Sequence, residues 1–261
     1  MKRKPFTTAL MTGLILTLFP MGLMAQEYTA QQLIDKMIDA NNLSFEKGEM
    51  QMTMIIENKR GKKRTRTIMA QGQKFGELSK TRIEFKEPAD VRGTTLLMHE
   101  QPGDGDDIQY LYFPAFKKTQ RISGSAKNGS FMGSDFTYAD MESRDAKEGK
   151  KTLLPPDKVG GQEAFRVSVE STDEDSDYSK VDMWIHKTLF LPLRTDFYDR
   201  KGALLKVMTS KKIEKKNGQF VITHIKLANK QKGSQTSLIV DDINQDAVFS
   251  ESVFEKASLG K

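Results

Sequence analysis

Leu111-Tyr-Phe-Pro-Ala-Phe-Lys-Lys-Thr-Gln-Arg-Ile-Ser-Gly-Ser-Ala-Lys-Asn-Gly-Ser-Phe-Met-Gly-Ser-Asp-Phe-Thr-Tyr-Ala-Asp-Met141 begins as an aromatic-rich strand, crosses a Gly/Ser/Asn-rich loop and ends among large apolar and acidic residues. Phe131, Met132, Phe136 and Tyr138 on such a loop would meet water unless they covered something apolar. The stretch therefore reads as a lid over an apolar interior, with Gly124, Gly129 and Gly133 as its hinge.

On either side the sequence alternates. Met50, Met52, Met54 and Ile56 share one face of a strand, with Glu49, Gln51 and Thr53 on the other. The turn Asn58-Lys59-Arg60-Gly61-Lys62 returns the chain through Arg64, Arg66 and Ile68. Thr81, Ile83 and Phe85 then alternate with Lys80, Arg82 and Glu84. The same period recurs at 94–99, 108–113, 118–122, 164–170, 178–186, 193–198, 204–210, 220–229 and 235–242. Between them lie Pro102-Gly103-Asp104-Gly105, Pro155-Pro156-Asp157, Gly160-Gly161, Asp199-Arg200-Lys201-Gly202 and Asn217-Gly218 as turns. About eleven short antiparallel strands, each with one polar face, predict a mainly β fold in which a curved sheet wraps its own apolar side.

Helices are few. Residues 29–42 form an amphipathic helix, Thr29 and Gln32 spaced as a capping box and Leu33, Ile34, Met37 and Ile38 on one stripe. Two shorter helices are expected at 137–143 and 250–257, the latter capped by Ser250 and packed through Val253 and Phe254.

Lys2, Arg3 and Lys4, the apolar run 6–24 and Ala25 have the form of a cleaved export signal, which leaves 26–261 as a single domain with no internal boundary. Half of the net charge of +6 leaves with that segment. The remainder is a mild excess without the basic stripe of a nucleic-acid binder; the cluster at 59–66 reads as a hairpin tip, or as a docking point for an acidic partner or anionic headgroups. Cysteine is absent, so disulfides, thiol catalysis, Cys-type zinc and a lipidated cysteine are all excluded.

Catalytic patterns fail on inspection. His99, His186 and His224 stand alone without a second ligand at metal spacing. Asp173, Asp175 and Asp177 alternate as a calcium loop does, yet Tyr178 occupies the glycine position and Trp184 the position of the bidentate Glu. The loop glycines lack the Lys-Ser/Thr of a phosphate loop, and Ser125, Ser130 and Ser134 lack a nucleophile elbow. No enzyme, metal or cofactor is expected, and a hydrolase carries the least weight of the readings considered. Of fourteen methionines, ten remain once Met1, Met11, Met21 and Met24 are assigned to the signal; so flexible a side chain suits an adaptable apolar pocket as well as ordinary packing.

Several segments taken together carry a resemblance: Phe85-Lys-Glu-Pro-Ala-Asp-Val-Arg-Gly-Thr, Leu111-Tyr-Phe-Pro-Ala, Met132-Gly-Ser-Asp-Phe-Thr-Tyr-Ala-Asp-Met, and Trp184-Ile-His-Lys with Leu191-Pro-Leu-Arg. With the signal and opening helix, these segments resemble the LolA-like family of outer-membrane lipoprotein-sorting proteins, in a branch often linked to RND-type exporters. The resemblance implies a half-open antiparallel β-barrel whose apolar concave face is covered by short helices and a mobile loop. It implies a monomeric periplasmic carrier that takes acyl chains of lipoproteins or lipids from an inner-membrane transporter, of RND or ABC type, to an outer-membrane acceptor. An adaptor or sensor that binds an exporter or envelope regulator without lipid is the alternative. Strand alternation assigns the cavity lining to Met50, Met52, Met54, Ile56, Ile83, Phe85, Tyr110 and Tyr112, and a carrier without ATP needs a lid of marginal stability.

Overall fold

A computed structural model describes residues 28–40, 47–101, 107–142 and 149–261. The expected signal, the end of the first helix beyond Ala40 and the turn at 102–105 lie outside the described residues.

The alternating segments form one antiparallel sheet of thirteen strands. In chain order these are β1 (Lys47–Glu57), β2 (Lys63–Phe75), β3 (Leu78–Glu87), β4 (Thr95–His99), β5 (Ile108–Phe113), β6 (Lys118–Ile122) and β7 (Lys150–Val159). They continue as β8 (Gln162–Glu170), β9 (Tyr178–His186), β10 (Pro192–Asp199), β11 (Leu204–Lys216), β12 (Gln219–Asn229) and β13 (Ser234–Asn244). Every neighbour in the sheet is a neighbour in sequence except for the pair β1 and β13. That one long-range pairing puts the two ends of the strand series in the middle of the sheet and leaves β6 and β7 as its open edges. The expected lid residues, 124–141, lie on the path from β6 toward β7.

The expected barrel-like sheet is present with more strands than the alternation shows. β7 was hidden because Pro155 and Pro156 read as a turn; they lie instead within an edge strand, at a register shift between Leu154 and Asp157. An edge tolerates proline because no ladder hydrogen bond is lost on its free side, and the missing N–H discourages pairing with another chain.

Register decides which residues share the concave face. Met52 pairs with Ile68, and Ile68 with Phe85; Met50, Ala70, Ile83, Leu96 and Leu111 form the next row. Across β1 the face continues through Leu238, Ile225 and Leu227. α1 (Ala30–Ala40) lies against β7 and β8 and buries Leu33, Ile34 and Met37 in this core. Its N-terminus is the expected capping box: the Thr29 amide donates to Gln32 Oε1 at 2.9 Å and the Gln32 amide to Thr29 Oγ1 at 3.2 Å. Tyr28 docks edge-on to Phe165 and Phe190, each 5.7 Å away.

The two short helices are only 3-10 turns. Ala139–Met141 replaces the first, while Glu251–Phe254 and Lys256–Ser258 replace the second; Ser250 makes no side-chain cap. The last pair covers the convex side of β3 to β5, where Phe254 is fully buried and Lys80 meets Glu251 at 2.7 Å and Glu255 at 3.3 Å.

Ile34 fills a sealed part of the core and Thr29 caps an exposed turn. Ile34→Ala should therefore lower the unfolding free energy by about 2–5 kcal/mol, and Thr29→Ala by about 1 kcal/mol, both read from urea denaturation at unchanged slope.

Candidate functional site

The stretch between the open edges folds inward. Phe131 is sealed against Phe85 (ring centroids 5.5 Å apart) and Tyr138 (5.7 Å), and Phe136 and Tyr138 are buried beside it. The Phe131 amide donates to the Phe136 carbonyl at 2.7 Å, and Ser130 and Thr137 form a bridge, so the segment closes on itself as a miniature hairpin.

Buried charges then fasten it to the sheet. Asp135 accepts the hydroxyls of Ser234 and Thr236 from β13, the latter at 2.8 Å, and the Asp135 amide donates back to Thr236 Oγ1 at 2.9 Å. Asp140 accepts from Lys206 Nζ (3.0 Å) and from the Tyr178 hydroxyl (2.7 Å), and Lys206 also donates to that hydroxyl at 2.7 Å. Arg66 donates to the Met132 carbonyl and Arg64 to the Gly133 carbonyl. Gln109 Nε2 donates to the Tyr138 carbonyl at 3.1 Å and to Glu142 at 2.6 Å, and Lys127 pairs with Glu142 at 3.0 Å.

Burial holds the Arg66 guanidinium below the usual arginine range, with Arg64 adding to the effect and Asp90 opposing it. Burial also raises the Glu142 carboxyl and the Tyr138 hydroxyl, against the opposing pulls of Lys127 and of the Met132 backbone respectively. Groups so placed act when held in place, since each would strand a buried partner on leaving.

In this structure the expected lid is packed into the core as a plug. Phe131, Phe136 and Tyr138 lie in the core, and Met132 packs against it. Gly133 has φ +72°, and a Cβ there would stand 3.5 Å from the Arg64 guanidinium; Gly124 also has positive φ, whereas Gly129 is extended, and none of the three marks a break in the packing.

Of the expected lining, Met50, Met54, Ile56 and Phe85 are concave and sealed, while Met52 and Ile83 are concave and partly buried. Tyr110 and Tyr112 lie on the other face. Tyr110 pairs with Leu97 and Tyr112 with Thr95, on the convex side beneath the C-terminal turns, where Lys256 stands 5.1 Å over the Tyr110 ring. β5 is apolar on both faces, so alternation alone picked the wrong parity; Gln109, Leu111 and Phe113 are the inward set. The buried anchors Asp135, Asp140, Arg66 and Lys206 went unread as functional. For Arg66 and Lys206 the signal is a charged residue at inward parity in a strand; Asp135 and Asp140 lie in the turns between β6 and β7, where no period marks them.

Part of the concave face is covered less tightly. Met52, Ile83, Met98, Met208, Ile225 and Leu238 pack on the core but are only partly buried, and they form an apolar strip, or shallow trough, in a sheet that does not close. At the far end of β12 a cleft of about 350 Å³ opens between Ala40, Leu189, Leu191, Phe220 and Ile222. Among the described residues no group of three His, Cys, Asp or Glu is placed to hold a metal.

A half-open antiparallel barrel with an apolar trough defines the architecture, and relatives share it. A family model described only as that of an uncharacterized protein matches residues 77–261. A Vibrio parahaemolyticus domain named for outer membrane lipoprotein sorting is 31% identical, with a TM-score of 0.81 over 88% of this chain and 98% of its own. A DUF1329 family protein from Desulfovibrio piger is 28% identical, with a TM-score of 0.82 over 88% and 97%. A LolA superfamily protein from Nitrosomonas europaea shares the fold at 17% identity, with a TM-score of 0.71 over 89% and 100%. No curated protein matches. The chain belongs to the family of outer-membrane lipoprotein-sorting protein domains that the Vibrio parahaemolyticus domain represents.

Lys206 and Asp140 are about 95% buried. Lys206→Met should leave Asp140 without its cation and cost about 3–5 kcal/mol; Asp140→Asn in that background should return part of the loss. Thermal or urea unfolding of the single and double variants checks both.

Proposed function

We propose that the protein is a non-enzymatic periplasmic carrier, exported by cleavage after residue 25, whose single domain shelters acyl chains of lipoproteins or lipids and passes them toward the outer membrane. The apolar trough carries this reading: large side chains on the concave face of an open sheet stay only partly buried, while those beneath the plug and α1 are sealed. Each methylene moved out of water is worth about 0.8 kcal/mol, so a chain of roughly fifteen gains on the order of 12 kcal/mol from such a site. The identity to a domain named for lipoprotein sorting supports the same class of cargo.

With the plug packed into the core, cargo would enter and leave along the partly buried trough. Release then depends on an acceptor with a better site, because no nucleotide drives it there. An inner-membrane transporter of RND or ABC type and an outer-membrane acceptor are the matching donor and recipient.

Native mass spectrometry of protein purified from the periplasm without detergent, followed by organic extraction, tests this. A discrete lipid mass should accompany the wild type and vanish from Met52→Asp and Ile225→Asp, which place charge in the trough without opening the sealed core. A clean apo mass that persists after incubation with acylated peptide and phospholipid vesicles would sink the carrier and favour a protein-binding adaptor.

A further inference from the structure

Register places the turns β1–β2, β3–β4, β5–β6, β12–β13, β10–β11 and β8–β9 at one end of the sheet, the end fastened by Asp135. Their chemistry is sorted around the rim. The β1–β2 turn presents Lys59, Arg60, Lys62 and Lys63, all exposed. Beside it the β12–β13 turn presents Lys230 and Lys232; the two turns touch, since a Cβ on Gly233 would lie 3.5 Å from the Lys59 Cβ. Glu57, 3.6 Å from Lys63, offsets one of these charges. Past the β3–β4 turn, where exposed Glu87 and Asp90 outnumber Arg92, and where Lys86 at the end of β3 pairs with Glu84 at 2.7 Å, stands the β5–β6 turn. Its Phe116 is 78% exposed, followed by exposed Lys117 and Lys118. Acidic residues gather instead on the β8–β9 turn, where Arg200 holds the carbonyls of Asp173 and Glu174.

We propose that the sector formed by the β12–β13, β1–β2 and β5–β6 turns is a docking surface for an anionic phospholipid membrane. Lysines and arginines near a lipid surface are drawn by its negative potential, and the effect fades within a Debye length. An acidic protein would satisfy the same charges. The exposed Phe116 selects lipid, because an aromatic ring flanked by lysines sits at the boundary of headgroup and acyl chain while the ammonium groups stay among the phosphates. The acidic β8–β9 turn, carried on the same rim, tilts the barrel so that the basic sector faces the bilayer. This surface stands apart from the trough, and its test does not depend on whether the trough carries cargo.

Co-sedimentation of the protein, expressed from the full chain, with vesicles of phosphatidylcholine alone or containing about one-third phosphatidylglycerol reads the proposal directly. Binding should require the anionic lipid and fade between about 0.05 M and about 0.5 M salt. Lys59→Glu with Lys62→Glu should weaken it at least about tenfold. Lys215→Glu with Lys216→Glu, an equal change of net charge at the opposite end, should leave it intact. Phe116→Ser should lower binding severalfold while keeping its salt dependence. Unchanged far-UV circular dichroism and melting would show that these exposed substitutions leave the fold standing. Equal binding to both vesicles, equal loss from the two charge-reversed pairs, or retention on a polyglutamate column with no vesicle binding would each overturn the membrane assignment.

Discussion

An open sheet of this size cannot leave its whole concave face to water, and the group that holds its cover in place is the buried triangle of Lys206, Asp140 and Tyr178. Each pair in it is within 3.0 Å, so each charge removed from water keeps a hydrogen-bonded partner. Asp135 repeats the device on β13 with two hydroxyls and an amide. These anchors come from β9, β11 and β13, while Arg66 and Gln109 come from β2 and β5. The segment between the open edges is thereby tied to both halves of the sheet, and the curvature of the sheet and the position of the plug depend on each other.

The division of the concave face follows. Where the plug and α1 sit, Phe85, Phe131, Leu33 and Ile34 are fully sealed and supply the stability of the fold. Elsewhere Met52, Met208 and Ile225 are only partly buried, and their flexible or branched side chains can meet a guest of irregular shape. A carrier needs both regions: a core that survives without cargo, and apolar surface left uncovered for it. Fastening the plug with charges lets the first be rigid without filling the second.

Much of this was legible in the sequence. The period-two pattern revealed nearly every strand, and the Thr29/Gln32 spacing marked the start of α1. What escaped has physical causes. Pro155 and Pro156 mimic a turn, because an edge strand can accept prolines that an inner strand cannot. Tyr110 and Tyr112 misled because the C-terminal turns make the convex side of β5 apolar as well, a tertiary effect absent from the strand itself. Gly and Ser around 124–134 suggested mobility, whereas the buried partners that bond to the stretch lie up to about a hundred residues away along the chain. Local composition cannot report them.

The central claim is that the stretch between the edges is a plug held by buried charges, and amide hydrogen exchange measures it most directly. In the cargo-free protein the amides of Phe131, Asp135 and Tyr138 should exchange as slowly as those in the middle of β1, and Lys206→Met should speed them before β1 responds. Rapid exchange of those three amides in the wild type, with β1 still protected, would show a loose lid and contradict the account.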